Sequence, residues 1–195
     1  ANVNAIDRFL KVTSLHLAAE NGNSATAQVL IDANASITAQ DPFQRTPLHL
    51  AVDKGHIAAV HVLIEAKATL NSDDGPWTTP LALAVKRGHA NVVRALLDAK
   101  ATIPLTWDGY TLLHEAAEKW HGEIVRALVD AKAELNIRDC QKERNVLSVA
   151  LRNNDVATVK VLVEAKADLG PGDYADRTAL LTAASYCIPD IVQFL

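Results

Sequence analysis

Methionine is absent from this 195-residue chain, cysteine occurs twice, and the aromatics number three Trp, three Tyr and three Phe. A row that opens Ala1-Asn2-Val3 and stops at "DIVQFL", inside an apolar helical pattern, is expected to be a piece of a longer or processed protein. Two cysteines, Cys140 and Cys187, do not make the disulfide framework of a small secreted domain, and a reducing compartment is the simpler expectation. No apolar run reaches the roughly 18 residues that a membrane-spanning helix needs, and no secretory leader pattern opens the row. A net charge of −4 gives no drive toward nucleic acid or anionic membrane. With 49% hydrophobic and 22% charged residues, the chain has the balance of a folded domain rather than a disordered one.

What is abundant is self-similarity. Thr13, Thr46, Thr79, Thr111, Asn145 and Thr178 occupy one equivalent position, in the strings "TSLHLAAENG", "TPLHLAVDKG", "TPLALAVKRG", "TLLHEAAEKW", "NVLSVALRNN" and "TALLTAASYC". A second string recurs downstream as "VLIDANASI", "VLIEAKATL", "ALLDAKATI", "ALVDAKAEL" and "VLVEAKADL". A fixed period of about 33 residues marks a stacked helical array. Within one period, Thr46 suits a helix N-cap and Pro47 the first helical position. Gly55 permits the turn that ends this helix. Val60, Leu63 and Ile64 have the i, i+3, i+4 spacing of a second, amphipathic helix. One such pair cannot bury its own apolar faces, so the pattern has to recur.

Thr46-Pro47-Leu48-His49, Ala51, Gly55-His56, Val60, Leu63-Ile64 and Ala68 resemble the ankyrin-repeat family, and the resemblance runs the length of the chain. It implies a mainly α fold, a solenoid of stacked helix-turn-helix units with inter-repeat β-hairpin fingers. It also implies a single array over residues 1–195, with repeats near 1–40, 41–73, 74–105, 106–138, 139–172 and 173–195. It assigns His16, His49 and His114 to hydrogen bonds between neighbouring repeats. The chain departs from the family where Asn34, Lys67, Lys100, Lys132 and Lys166 replace the usual glycine after the second helix. A lysine in a left-handed conformation there is strained by roughly 1–2 kcal/mol, unless the helices end differently. Gln44, Trp77 and Asp176 replace the finger glycine that survives as Gly109, Trp120 replaces the glycine between helices, and the finger carrying Glu143 has an extra residue.

Catalytic and metal-binding patterns are scarce. No P-loop, nucleophile elbow, dinucleotide fingerprint or HExxH string is present. "HEAAEKWH" separates His114 from His121 by too much for a zinc pair. The reading is therefore of a non-enzymatic protein with no cofactor and no metal.

Binding is expected where the aromatics gather. Phe9, Phe43, Trp77, Trp107, Tyr110 and Tyr174 fall in the fingers, Trp120 and Tyr186 fall near the turns between helices, and only Phe194 takes a helix-core position. Finger aromatics either brace their loops or anchor a partner. Beside them, the ends of the first helices carry Lys54, Lys86, Arg87, Lys119 and Arg152, a basic row facing the concave side in an ankyrin array. The expected function is a protein–protein interaction module that uses this face and the fingers Phe43, Trp77, Trp107, Tyr110 and Tyr174 to hold an acidic, extended partner segment. The alternative is a targeting or substrate-recruiting segment of a larger enzyme, channel or secreted effector. A monomer in the cytoplasm is expected, with the nucleus or a host cytosol left open. "LVDAKAELN" ending at Asn136, and less well "LIEAKATLN" ending at Asn71, resemble sites of the asparagine hydroxylase that acts on ankyrin proteins.

Overall fold

The computed structural model describes residues 2–7, 9, 11–71, 78–106, 108–140, 143–171, 173, 175, 177–186 and 188–195. The chain divides into two compact units, Ala1–Thr102 and Ile103–Leu195. The first holds α1 (Ser14–Glu20), α2 (Ser24–Asp32), α3 (Pro47–Asp53), α4 (Ile57–Glu65), α5 (Pro80–Arg87) and α6 (Ala90–Asp98). The second holds α7 (Leu112–Glu118), α8 (Gly122–Asp130), α9 (Val146–Arg152), α10 (Val156–Glu164), α11 (Ala179–Ser185) and α12 (Pro189–Phe194). In the first unit α1, α3 and α5 pack in sequence, α2, α4 and α6 do likewise, and each pair is joined by its own turn. The second unit repeats this with α7, α9, α11 and α8, α10, α12.

The helix starts follow from the sequence. Thr13, Thr46, Thr79, Thr111, Asn145 and Thr178 are all N-caps in extended backbone. At Thr13, Thr46 and Thr111 the N–H donates to Nδ1 of the histidine three residues on, at 3.2, 3.1 and 3.2 Å. That leaves Nε2 as the donor. His16 gives it to the carbonyl of Arg45 (3.1 Å), His49 to that of Thr78 (3.0 Å) and His114 to that of Arg144 (2.9 Å). Each imidazole thus ties a helix start to the connection entering the next pair. His56 and His89 add a second tie, from Nε2 back to the carbonyls of Glu20 (3.0 Å) and Asp53 (3.2 Å). Their rings explain two glycines: a Cβ on Gly22 would lie 2.7 Å from His56, and one on Gly55 2.8 Å from His89.

The second helices end alike in spite of the lost glycines. Lys67, Lys100, Lys132 and Lys166 adopt φ of 66°, 67°, 65° and 65°, and Asn34 63°. Around Lys100 the N–H bonds to Leu97 O, and the following Ala101 N–H reaches back to Leu96 O, both at 2.9 Å. This is the glycine-type C-terminal motif, built without glycine. The backbone wins because the alanine after the lysine packs inward and closes the helix; Ala68, Ala101 and Ala167 are buried, and Ala133 is half-buried.

Leu15, Leu48, Leu113 and Leu147, one per repeat, are at most 2% exposed, each with the following helix pair stacked in its own unit. Leu180, at the same position in the last repeat, is 51% exposed. Phe194, expected in the core, is 39% exposed, with the ammonium of Lys160 5.7 Å from its ring centroid. The described parts of the connections do not confirm the expected hairpins. Among the described residues there is no strand, only an isolated bridge between Ile6 and Thr13.

Two outcomes follow from these ties. Lys100→Gly relieves a Cβ clash at φ 67° and raises unfolding free energy by about 1 kcal/mol, whereas Lys100→Ala, which keeps the Cβ, does not; urea midpoints measure both. Burial lowers the pKa of His16 and His114 and outweighs the carbonyl bonds and nearby Asp charges that favour protonation. The folded state therefore refuses protons that the unfolded chain takes up. Stability is fully present above about pH 6.5 and declines as pH falls below it. Urea midpoints dropping between about pH 7 and 5.5, above the range where carboxylates titrate, test this.

Candidate partner-binding surface

The inter-repeat connections are held by side chains. In the first unit, Asp41 Oδ1 accepts the N–H groups of Phe43 (2.8 Å) and Arg45 (2.9 Å), while Oδ2 accepts from Arg45 Nε (2.8 Å). In the second, Asp173 does the same with Ala175, Arg177 and the Arg177 guanidinium. Burial alone would raise the pKa of both carboxyls, yet both lie below the ordinary value, because the arginine N–H and guanidinium bonds stabilise the anion more. Asp139 and Arg144 form the equivalent lock across the longer connection, with Arg144 4% exposed. The signal lay in the sequence as "DPFQRT", "DCQKERN" and "DYADRT", an Asp and an Arg leading into each cap residue, and the sequence reading passed over it.

The lock decides what Phe43 does. Its ring is 77% exposed, and the Arg45 guanidinium sits 5.2 Å from the ring centroid while bound to Asp41. Asp7 caps the N–H of Phe9 in the same way, at 2.8 Å, and Phe9 is 92% exposed. Tyr110 is placed differently. Its ring stacks on His114 with centroids 5.5 Å apart. Its hydroxyl donates to Glu118 (2.8 Å) and Glu115 (3.2 Å), and burial followed by these carboxylates pushes its pKa upward. Glu118 in turn pairs with Arg144 at 2.7 Å. Tyr110 is thus a brace within its own unit.

One family model, described as ankyrin repeats in three copies, matches residues 1–74 and again 68–139. The chain belongs to the ankyrin-repeat family. No curated protein matches it. The ankyrin repeat explains why the expected site residues fall at helix ends and connections rather than in one pocket. Trp77, Trp107 and Tyr174 lie outside the described residues. Of the basic row, Lys54 caps α3 in the open, and Lys86 and Arg87 are exposed at the end of α5. Arg87 is already paired with Asp53 (2.6 Å) and Lys119 with Glu115 (3.3 Å), so the row carries less net charge than its lysines and arginines suggest. Arg152 is exposed at the end of α9 and has no ion pair among the described residues. Asn71 and Asn136 accept the N–H groups of Thr102 and Asp168 in the next repeat, both at 2.9 Å. Cys140 is exposed, and Cys187 lies outside the described residues. Among the described residues no three His, Cys, Asp or Glu side chains converge as metal ligands, and no helix is long and apolar enough to cross a membrane.

Tyr110→Phe keeps the ring on His114 and deletes both hydroxyl bonds. It lowers stability by about 1–2 kcal/mol, the usual worth of bonds to charged acceptors. Thermal melting and urea titration of this variant check the bracing role.

Proposed function

We propose that this chain is a non-enzymatic protein–protein interaction module that holds an extended, acidic partner segment along the inner helix ends and finger connections of its ankyrin solenoid. Ankyrin repeats in general bind proteins, and the family is typically non-enzymatic. The observation that carries the reading is Phe43: a large apolar ring kept in solvent by a lock that fixes its backbone and covers one face with Arg45. A ring fixed before binding loses little entropy on docking, which makes it a suitable hot spot. Trp77, Trp107 and Tyr174, which lie outside the described residues, are further candidate contacts in this proposal. Lys54, Lys86, Arg87, Lys119 and Arg152 steer the acidic segment toward it. The module acts as a monomer in the cytoplasm, and hydroxylation of Asn136 or Asn71 would fall on side chains that already bridge consecutive repeats.

Affinity capture with the intact chain, repeated with Phe43→Ala, tests the reading. The expected result is loss of the captured partner, corresponding to about 2 kcal/mol or more in binding, with an unchanged melting temperature. Equal capture by the variant, or a drop in melting that accounts for the loss, overturns it.

A further inference from the structure

A small cleft opens in the second unit between α9 and α11. It has a volume of about 120 Å³, and Arg144, Arg152, Asp173, Arg177, Thr182 and Tyr186 contribute to its walls. The acids and bases around it are unevenly committed. Asp173 accepts the N–H groups of Ala175 and Arg177 together with the Arg177 guanidinium. Arg144 is tied to both Asp139 and Glu118. Tyr186 lines the same cleft and carries a hydroxyl that can donate. Arg152, exposed at the last position of α9, is the guanidinium that pairs with no carboxylate among the described residues. The cleft's own carboxylate is engaged while Arg152, a planar, five-donor cation, is not, and a guanidinium with a phenol hydroxyl in one cleft is a donor set for an incoming anion. The volume accommodates one carboxylate and its methylene group.

We infer that this cleft is a specificity pocket for the side-chain carboxylate of an Asp or Glu in the partner segment, with Arg152 as the bidentate contact and Tyr186 as the second donor. The inference rests on the interaction-module reading and names the chemistry of one point along it. Arg144 and Arg177 act as walls, because their own acids hold them still. The three arginines meet three carboxylates, so the cleft has no net formal charge, and the anion is held by direct bonds to the Arg152 guanidinium rather than by the field of the cleft.

The test uses the intact chain and blocked tripeptides as probes. Arginine Nε–H signals are followed by NMR during titration with acetyl-Gly-Glu-Gly-amide, acetyl-Gly-Gln-Gly-amide and acetyl-Gly-Gly-Gly bearing a free C-terminal carboxylate. The expected result is a saturable shift of Arg152, and of Arg177 in the same cleft, with the Glu peptide, in about the millimolar range for a single rim contact. The Gln peptide gives none, and the exposed Arg126, which already faces Glu164, does not follow. Read at the Arg177 signal, Arg152→Gln should weaken the effect by about tenfold or more, and Tyr186→Phe by less. Shifts that are equal at Arg126, that fail to saturate, or that survive Arg152→Gln overturn the proposal, as does a response confined to the free C-terminus. Failure here leaves the Phe43-dependent capture unaffected, so the pocket and the broader function fall separately.

Discussion

A seven-residue helix cannot bury an apolar face alone, and every other feature of this molecule answers that constraint. Leu48 or Leu147 leaves water only because another helix pair stacks on it, at a gain of roughly 1.5–3 kcal/mol for each leucine fully covered. The contrast with the half-exposed Leu180 shows the same position without its cover. Stacking in turn buries backbone groups at the helix starts and in the connections, and these need partners. The neutral imidazoles of His16, His49 and His114 supply them, accepting from the cap N–H on one side and donating to the next connection on the other. Protonation would aim an N–H at the cap N–H, so the device works only while the ring stays neutral.

The connections solve a related problem. Without strands among the described residues, a connection keeps its shape through a buried aspartate that gathers the N–H groups and guanidinium of its own turn. That arrangement has a by-product. It immobilises the residue two positions after the aspartate, whatever that residue is. At Phe9 and Phe43 the held side chain is an exposed ring; at Ala175 it is a methyl group. At Tyr110 the ring folds back toward acids on its own helix pair. One backbone motif therefore either holds a ring in solvent or turns it back as a brace, and the side chain chooses.

The charged helix ends show the same division. Arg87 and Lys119 meet carboxylates nearby, and much of the basic row becomes internal pairing. Arg152 meets none. Paired and unpaired guanidiniums have the same sequence signature, since an arginine at a helix end reads alike whether its acid is 34 positions earlier, as for Arg87 and Asp53, or absent.

The period, the helix pairs and the caps at Thr46 and its equivalents were legible in the sequence, because they depend on contacts a fixed number of residues away, while the role of the Thr-x-x-His histidines was implied by the family resemblance. The left-handed lysines were legible only as a conflict. Local preference argues against φ near 66° at Lys67, and only the burial of the following alanine decides that the turn forms anyway. Which aromatic rings stand in solvent and which fold back on their own unit, which cations are neutralised, and the exposure of Phe194 were decided by tertiary structure. The reason is that each depends on what lies across the stack, one repeat away in space, and the chain records that neighbour only through a pattern that every repeat shares.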